Sequence, residues 1–508
     1  MLEAPPTASE ATSARPRVGF VSLGCPKNLV DSEVMMGLLN QAGAEITTDP
    51  ATADVLVVNT CSFIDTAKQE SVDTILEMAQ HKTTGRAQKL IVAGCLVERY
   101  RDEIRKNIPE VDAVVGTGEL ESILGAAGIQ APSPRIVEPS PFTILSSSAA
   151  AIVHPAHETV AARAEGDLRE SQGRFSRAEW DGARPALPQY LYDETTPRLL
   201  ATPGSSAYIK IAEGCDHPCS FCVIPNLRGK FRSRHFESVV AEAERLVSQG
   251  VEEITLIGQD TTCYGEDLGL KDGLAVLLDK LAGIEGLRWL RFLYAYPNKI
   301  TGRLLETIAK HDNICKYLDV PLQHASGSVL KSMKRGANAD IFLKTIEKVR
   351  TAVPGIALRT SFIVGFPGET DADFETLSNF VREARFDWLG VFGYSDEEGS
   401  GAFSLGEKVP GKVIEQRKRA LMRLQKGLSK KAKQQWVGRT MHVLVEGESA
   451  ETPLLWEGRS QFHAPEIDGT VYINDFGPLE GIMPGRFYEC EITEAHDYDV
   501  VARVVSAL

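Results

Sequence analysis

No stretch of this 508-residue chain approaches the ~20 consecutive apolar residues that a membrane helix needs, so no spanning helix is expected. The first sixteen residues, Met1 to Pro16, are rich in Ala, Ser, Thr and Pro and lack the apolar centre of a secretory signal. The expected location is the cytoplasm. Positive charge is scarce: 55 Lys and Arg stand against 69 Asp and Glu, and the formal net charge of -14 argues against general nucleic-acid affinity while leaving room for a basic partner. Cysteine is sparse as well. Nine in so long a chain, odd in number and mostly clustered, suit reduced thiols and metal ligation better than a disulfide framework. What is there, 43% hydrophobic and 24% charged residues, reads as globular and long enough for about three domains.

The cysteines carry the chemistry. Cys215, Cys219 and Cys222 form a C-x3-C-x2-C triplet on one short loop after a β-like run, Ala207 to Ala212. Three thiolates at that spacing can close on one metal centre, and because a four-iron cluster prefers four thiolates, one iron is left open to a small molecule. A zinc knuckle completed by His217, or three unrelated buried thiols, are the plainer readings. Upstream, three βα-like units follow one another, and each apolar run leads to a cysteine. Val18 to Leu23 leads to Cys25, Ala53 to Val58 to Cys61, and Lys89 to Ala93 to Cys95, at separations of 36 and 34 residues. In an open parallel sheet the carboxyl ends of the strands share one edge, so these three should converge on a second centre with an open iron. The alternative is that small cysteines merely pack at strand ends.

From Gly128 to Thr202 the composition turns to Ala, Ser, Pro and charge with little apolar periodicity, which reads as a linker dispensable for chemistry, its His154 and His157 solvated. From Ser206 to Ser395 strand and helix signals alternate six times: an open, partial (β/α) barrel with its chemistry at the carboxyl ends of its strands. Its third strand is expected over Leu287 to Ala295. Arg228, Lys230, Arg232 and Arg234 follow the cysteine loop and either neutralise cluster or substrate charge or form a solvated basic loop. Cys263 and Cys315 lack ligand spacing and read as structural, and Lys412 to Lys433, with nine basic residues, as a solvated connecting helix. Beyond Val437, period-two alternation (Met441, Val443, Val445; Tyr488, Cys490, Ile492) describes a small antiparallel β-barrel with Cys490 in its core. The fold class is thus α/β with that barrel appended. Its boundaries are 1–16 tail, 17–127 N-terminal α/β domain, 128–202 linker, 203–410 partial barrel, 411–435 helix and 436–508 β-barrel.

The Cys215 triplet resembles the signature of radical S-adenosylmethionine (SAM) enzymes, and two cysteine trios in this order before a small TRAM-like barrel resemble the methylthiotransferases. Ser22-Leu23-Gly24-Cys25-Pro26-Lys27-Asn28-Leu29-Val30-Asp31-Ser32-Glu33, Asp319 to Ser326 and Ala464 to Gly469 are similar to the branch that acts on small-subunit ribosomal protein S-twelve. The resemblance implies two 4Fe-4S clusters, on Cys25, Cys61 and Cys95 and on Cys215, Cys219 and Cys222, with SAM as cosubstrate and an electron donor as partner. It places Phe221 near the adenine, Gly258, Gln259 and Asp260 at the methionine moiety of SAM, and Gly365 near the adenosine; Ser361 departs from the pattern, in which a glycine stands. One SAM would methylate a sulfur on the first cluster; a second would supply the radical that takes hydrogen from the β-carbon of an aspartate. An unactivated C–H bond offers acid–base catalysis nothing to act on, so a radical is needed. A transfer-RNA adenosine methylthiotransferase and a non-catalytic iron–sulfur binding protein are the alternatives. From Trp436 on, four basic residues face thirteen acidic ones, so transfer RNA is not the expected partner.

Overall fold

The computed structural model describes residues 15–130, 142–144 and 187–508; the tail before Arg15, His154, His157 and most of the linker lie outside the described residues. Strands β1 (Arg17–Ser22), β3 (Val55–Thr60) and β4 (Lys89–Gly94) are near-continuous apolar runs, the pattern of parallel strands covered on both faces. With β2 (Glu45–Thr47) and β5 (Ala113–Val115) they form one parallel sheet in the order β2-β1-β3-β4-β5. Helices α1 (Pro26–Gln41), α2 (Asp65–Thr84) and α3 (Cys95–Asn107) follow β1, β3 and β4, and α4 (Ile123–Ala127) ends the unit. The two three-residue edge strands are too short to show periodicity and were not expected.

After β6 (Phe142–Ile144) and β7 (Arg198–Leu200), the barrel strands are β8 (Ser206–Lys210), β11 (Glu253–Ile257), β12 (Trp289–Phe292), β13 (Tyr317–Asp319), β14 (Ala357–Val364) and β15 (Trp388–Gly393). They form two parallel arcs, β12-β11-β8 and β13-β14-β15, joined by a bridge between Leu290 and Ile314. Among the described residues no pairing joins β8 to β15, so the barrel is open there, as expected. β9 (Ala212–Glu213) and β10 (Arg232–Ser233) form a small hairpin-like pair around α5 (Ile224–Arg228). Helices α6 (Phe236–Ser248), α7 (Gly273–Leu281), α8 (Gly302–Lys310), α9 (Gly327–Ser332), α10 (Ala339–Ala352) and α11 (Asp371–Ala384) cover the outside, burying Val239, Leu278, Ile308, Phe342 and Phe380 with the outward side chains of the strands. β12 ends at Phe292, earlier than its apolar run, because Tyr294 turns into the left-handed region at φ 64°.

Helix α12 (Gly411–Gln434) leads to a closed barrel, β16 (Thr440–Glu448), β17 (Trp456–Ser460), β18 (Val471–Asp475), β19 (Phe487–Ala495) and β20 (Val500–Ala507), antiparallel except for β18 with β20. Val443, Val471, Cys490 and Ile492 fill it. It docks on the amino ends of the barrel strands: Arg459 pairs with Glu253 at 2.7 Å, the Trp388 indole donates to the Phe462 carbonyl at 2.7 Å, and Tyr317 to Asp468 at 2.7 Å. Glu253, Trp388 and Tyr317 each open a strand, so this domain sits at the opposite end from the cysteine loop.

The N-terminal domain instead spans the barrel's open seam. On one side α1 packs along β7 and β8, where the fully buried Arg198 joins Glu33 of α1 to Glu242 of α6. On the other, Lys68 and Arg99 both reach Glu397, beyond β15, at 2.9 and 2.6 Å. Buried pairs of this kind add little net stability but fix one arrangement, since a slipped register strands a charge.

Candidate active site

Cys25, Cys61 and Cys95 stand at the carboxyl ends of β1, β3 and β4, three adjacent strands of one sheet. Asn28 ties them locally: its amide donates to the Leu23 carbonyl at 2.9 Å and the Thr60 carbonyl at 2.8 Å, just before Cys25 and Cys61. Gly24, at φ 90°, is required here, because a Cβ would lie 2.7 Å from the Cβ of Cys61. The second trio lies beyond the carboxyl end of β8. Cys222 N–H donates to the Cys219 carbonyl at 3.2 Å, and Ser220, between them, receives and gives backbone bonds with Ala402 and Met333 from remote loops.

The two trios meet. Cys95 packs on Val223 and Leu227, the residues that follow Cys222 into α5. At the end of α5, Arg228 is 2% exposed, pairs with Asp31 at 2.8 Å and Glu213 at 3.1 Å, bonds Asn28, and lies 3.5 Å from Cys95 Sγ. Lys210 joins the same carboxylates, Asp31 at 2.5 Å and Glu213 at 2.6 Å. The basic run after the loop therefore divides: Arg228 and Arg234 are buried, the latter paired with Glu242, whereas Lys230 is exposed and Arg232 half-buried.

Gln259, after β11, donates to Glu213 at 2.6 Å and leaves its own Oε1 buried and unpartnered. Gly258 precedes it, and Asp260 accepts from His217 at 2.6 Å and from the thiol of Cys263 at 3.1 Å. Cys263 thus belongs to this corner. His217 stacks on Tyr296 at 3.8 Å, and Arg335 covers Tyr296 at 4.3 Å while reaching Cys219 Sγ at 3.6 Å. Phe221 is half-buried against the barrel core. Gly365 follows β14 directly, at φ 78°, with the side chain of Ile414 from α12 against it.

Tyr294, Tyr296 and Arg335 were not among the expected site residues, and Lys27 entered only as part of the Ser22 to Glu33 run. Tyr294 lies inside the run Leu287 to Ala295, which reads wholly as strand, and Tyr296 one residue beyond it; their alternate spacing at a strand end was a visible signal.

The donors fit iron clusters. Burial pushes Cys61 up to about 12, with Cys95 and Cys25 adding to it, and Cys95 up to about 11 against the pull of Arg228. Burial likewise lifts Cys215 to about 11 and Cys222 to about 12. At Cys25, burial is outweighed by Lys27 and Arg228, and the thiol falls below its ordinary value. Thiols gathered where thiolates are this costly are suited to a cationic centre. A single zinc would hold sulfurs about 3.8 Å apart, from metal–sulfur bonds of about 2.3 Å. Among the described residues, only His217, Asp260 and Cys263 bring three ligand atoms within 4.8 Å of one another, so neither cysteine trio has closed to that spacing.

Residues 17–116 match the uncharacterized protein family UPF0004, residues 209–381 the radical SAM superfamily and residues 437–505 the TRAM domain. The ribosomal protein uS12 methylthiotransferase RimO of Koribacter versatilis is 69% identical over 96% of both chains. The chain belongs to the uS12 methylthiotransferase family. Relatives of the same description from Solibacter usitatus, 56% identical over 96% of this chain and 95% of its own, and Trichlorobacter lovleyi, 45% identical over 97% and 99%, match along nearly the same length. No described helix is long and apolar enough to cross a membrane.

Proposed function

We infer that this chain is a radical SAM methylthiotransferase that places a methylthio group on the β-carbon of an aspartate of ribosomal protein uS12. The observation that carries the reading is the junction of two cysteine trios around Cys95, Arg228 and α5, in a chain of this family. Cys25, Cys61 and Cys95 would hold one 4Fe-4S cluster and Cys215, Cys219 and Cys222 the other. When bound, with SAM and an electron from a donor, they supply a carbon-centred radical and the sulfur to be transferred.

The protein's own part is placement. Gln259, with its free buried Oε1 beside Glu213, presents a polar edge to the amino-acid end of SAM, and Asp260, fixed by His217 and Thr262, stands next to it. Phe221 lines the adenine side. Val223 and Leu227 exclude water between the centres, and Glu397 ties the N-terminal domain to the barrel by holding Lys68 and Arg99. Arg228 compensates thiolate charge at Cys95.

A basic protein substrate also suits the C-terminal barrel, with its four arginines and thirteen acidic residues. Of the basic residues on α12, Arg417 is taken by Glu369 and Asp371, Lys426 by Asp497, and Lys433 is buried over Trp388, which weakens the case for transfer RNA. The enzyme would work in the cytoplasm, where uS12 is made. Reconstituted enzyme, given SAM, a reductant and a mixture of uS12 and transfer RNA, should add a methylthio group to one aspartate of the protein. Mass gain on adenosine alone would overturn the reading.

A further inference from the structure

Most buried cations in this molecule are neutralised by carboxylates. Lys210 and Arg228 share Asp31 and Glu213, Arg198 has Glu33 and Glu242, and Arg459 has Glu253. Lys27 is different. It is 8% exposed, yet among the described residues no carboxylate oxygen lies within 4.0 Å of its ammonium, which rests 3.3 Å above the ring of Tyr294. An ammonium taken out of water costs much of its hydration, and an aromatic face returns only part of it. Arg335 and Lys433, also buried and without a carboxylate, are satisfied in another way, Arg335 by the Pro321 carbonyl at 2.6 Å and by Cys219, Lys433 by the Ser429 hydroxyl at 2.7 Å and the Trp388 ring.

Tyr294 is a costly platform. It is a bulky residue at φ 64°, pinned by its own N–H to Asp319 at 3.0 Å, and non-glycine residues are held in that region where the surroundings over-determine them, often at functional sites. Two residues on, Tyr296 stacks against His217 of the second trio's loop. The short segment from Tyr294 to Tyr296 thus runs from the first trio to the second, and Lys27, two residues after Cys25, offers its charge at the first end of it.

We propose that Lys27 grips the carboxylate of the target aspartate, an assignment that rests on the uS12 reading above. The reacting β-carbon of an aspartate is bonded directly to its carboxylate carbon. Fixing the carboxylate leaves one bond rotation to decide which hydrogen faces the radical and which face of the carbon meets the sulfur, so the charge sits where positioning matters most. A side chain without a carboxylate leaves the ammonium with only the Tyr294 ring and the Cys25 sulfur beside it and is rejected, which is how a buried polar group gives specificity.

The test is binding by the cluster-loaded enzyme, measured for uS12 and for uS12 with its target aspartate changed to asparagine. The native enzyme should bind the aspartate form at least about thirtyfold more tightly, the effect of one desolvated charge pair. Lys27→Met should weaken only the aspartate form and erase the difference. If Lys27→Met does not fold, Lys27→Gln should erase the discrimination and Lys27→Arg should keep most of it. Discrimination that survives in a folded, iron-replete Lys27→Met or Lys27→Gln protein overturns the assignment alone. A native enzyme that binds neither form overturns the uS12 reading, and Lys27 with it.

Discussion

Cys215, Cys219 and Cys222 occupy one short loop, whereas Cys25, Cys61 and Cys95 come from three strands and stand together only when β1, β3 and β4 pair in register. The loop trio is near its final spacing before the chain folds, and remote elements (Arg335, Tyr296, Ala402) only shape its surroundings. The sheet trio is a product of tertiary structure. Disturbing the N-terminal sheet should therefore cost the first centre and spare the second, while disturbing what lies between them should cost both.

Arg228 is the sharpest point at which to break that distinction, because it binds carboxylates from both domains. Arg228→Met leaves Asp31 and Glu213 sharing only Lys210 in a buried site, and breaking such a network costs about 3–5 kcal/mol. Denaturant unfolding should report the loss, and iron content should fall at both trios. Asn28→Ala is a narrower cut. It frees the Leu23 and Thr60 carbonyls inside the protein, for a loss of about 2–3 kcal/mol, and should lower iron at the first trio only.

The smallest effect concerns the barrel away from both trios. His324 is fully buried, accepts a bond from Ser326 N–H on Nδ1 at 3.0 Å, and has no hydrogen bond at Nε2, with Glu369 3.7 Å away. Burial pulls its pKa down to about 4, so the folded chain keeps it neutral while the unfolded chain takes up a proton near 6.5. Its contribution is complete above pH 6.5 and is lost as pH falls toward 4, amounting to about 2 kcal/mol between pH 7 and 5. In cluster-free protein, His324→Gln should flatten the pH dependence of unfolding over that interval; an unchanged slope would assign it elsewhere.

Much of this was legible in the chain itself, for reasons that also mark where legibility stops. The placement of Cys25, Cys61 and Cys95 follows from parallel-strand logic, since an apolar run buried on both faces must end at the edge where its turn begins. The partners of Arg228 and Lys210 were not legible. Asp31 is 197 residues from the one and 179 from the other, and no local pattern reports a contact across that distance. The run from Arg228 to Arg234 showed charge without showing that its first and last members turn inward. The strands Glu45–Thr47 and Ala113–Val115 were missed because three residues carry no period, and the docking end of the C-terminal barrel because it is fixed by Arg459, Phe462 and Asp468 meeting strand starts far upstream.

The central claim is that two separable centres divide the work, one making the radical and one holding the sulfur. Parallel assays of iron content and 5'-deoxyadenosine formation on two triple alanine variants test it most directly. The variant of Cys215, Cys219 and Cys222 should retain about four irons per chain, one cubane cluster, and form no 5'-deoxyadenosine. The variant of Cys25, Cys61 and Cys95 should still cleave SAM reductively while transferring no methylthio group. Formation of 5'-deoxyadenosine by the first variant, or loss of all iron from either one while it remains folded, would contradict the account.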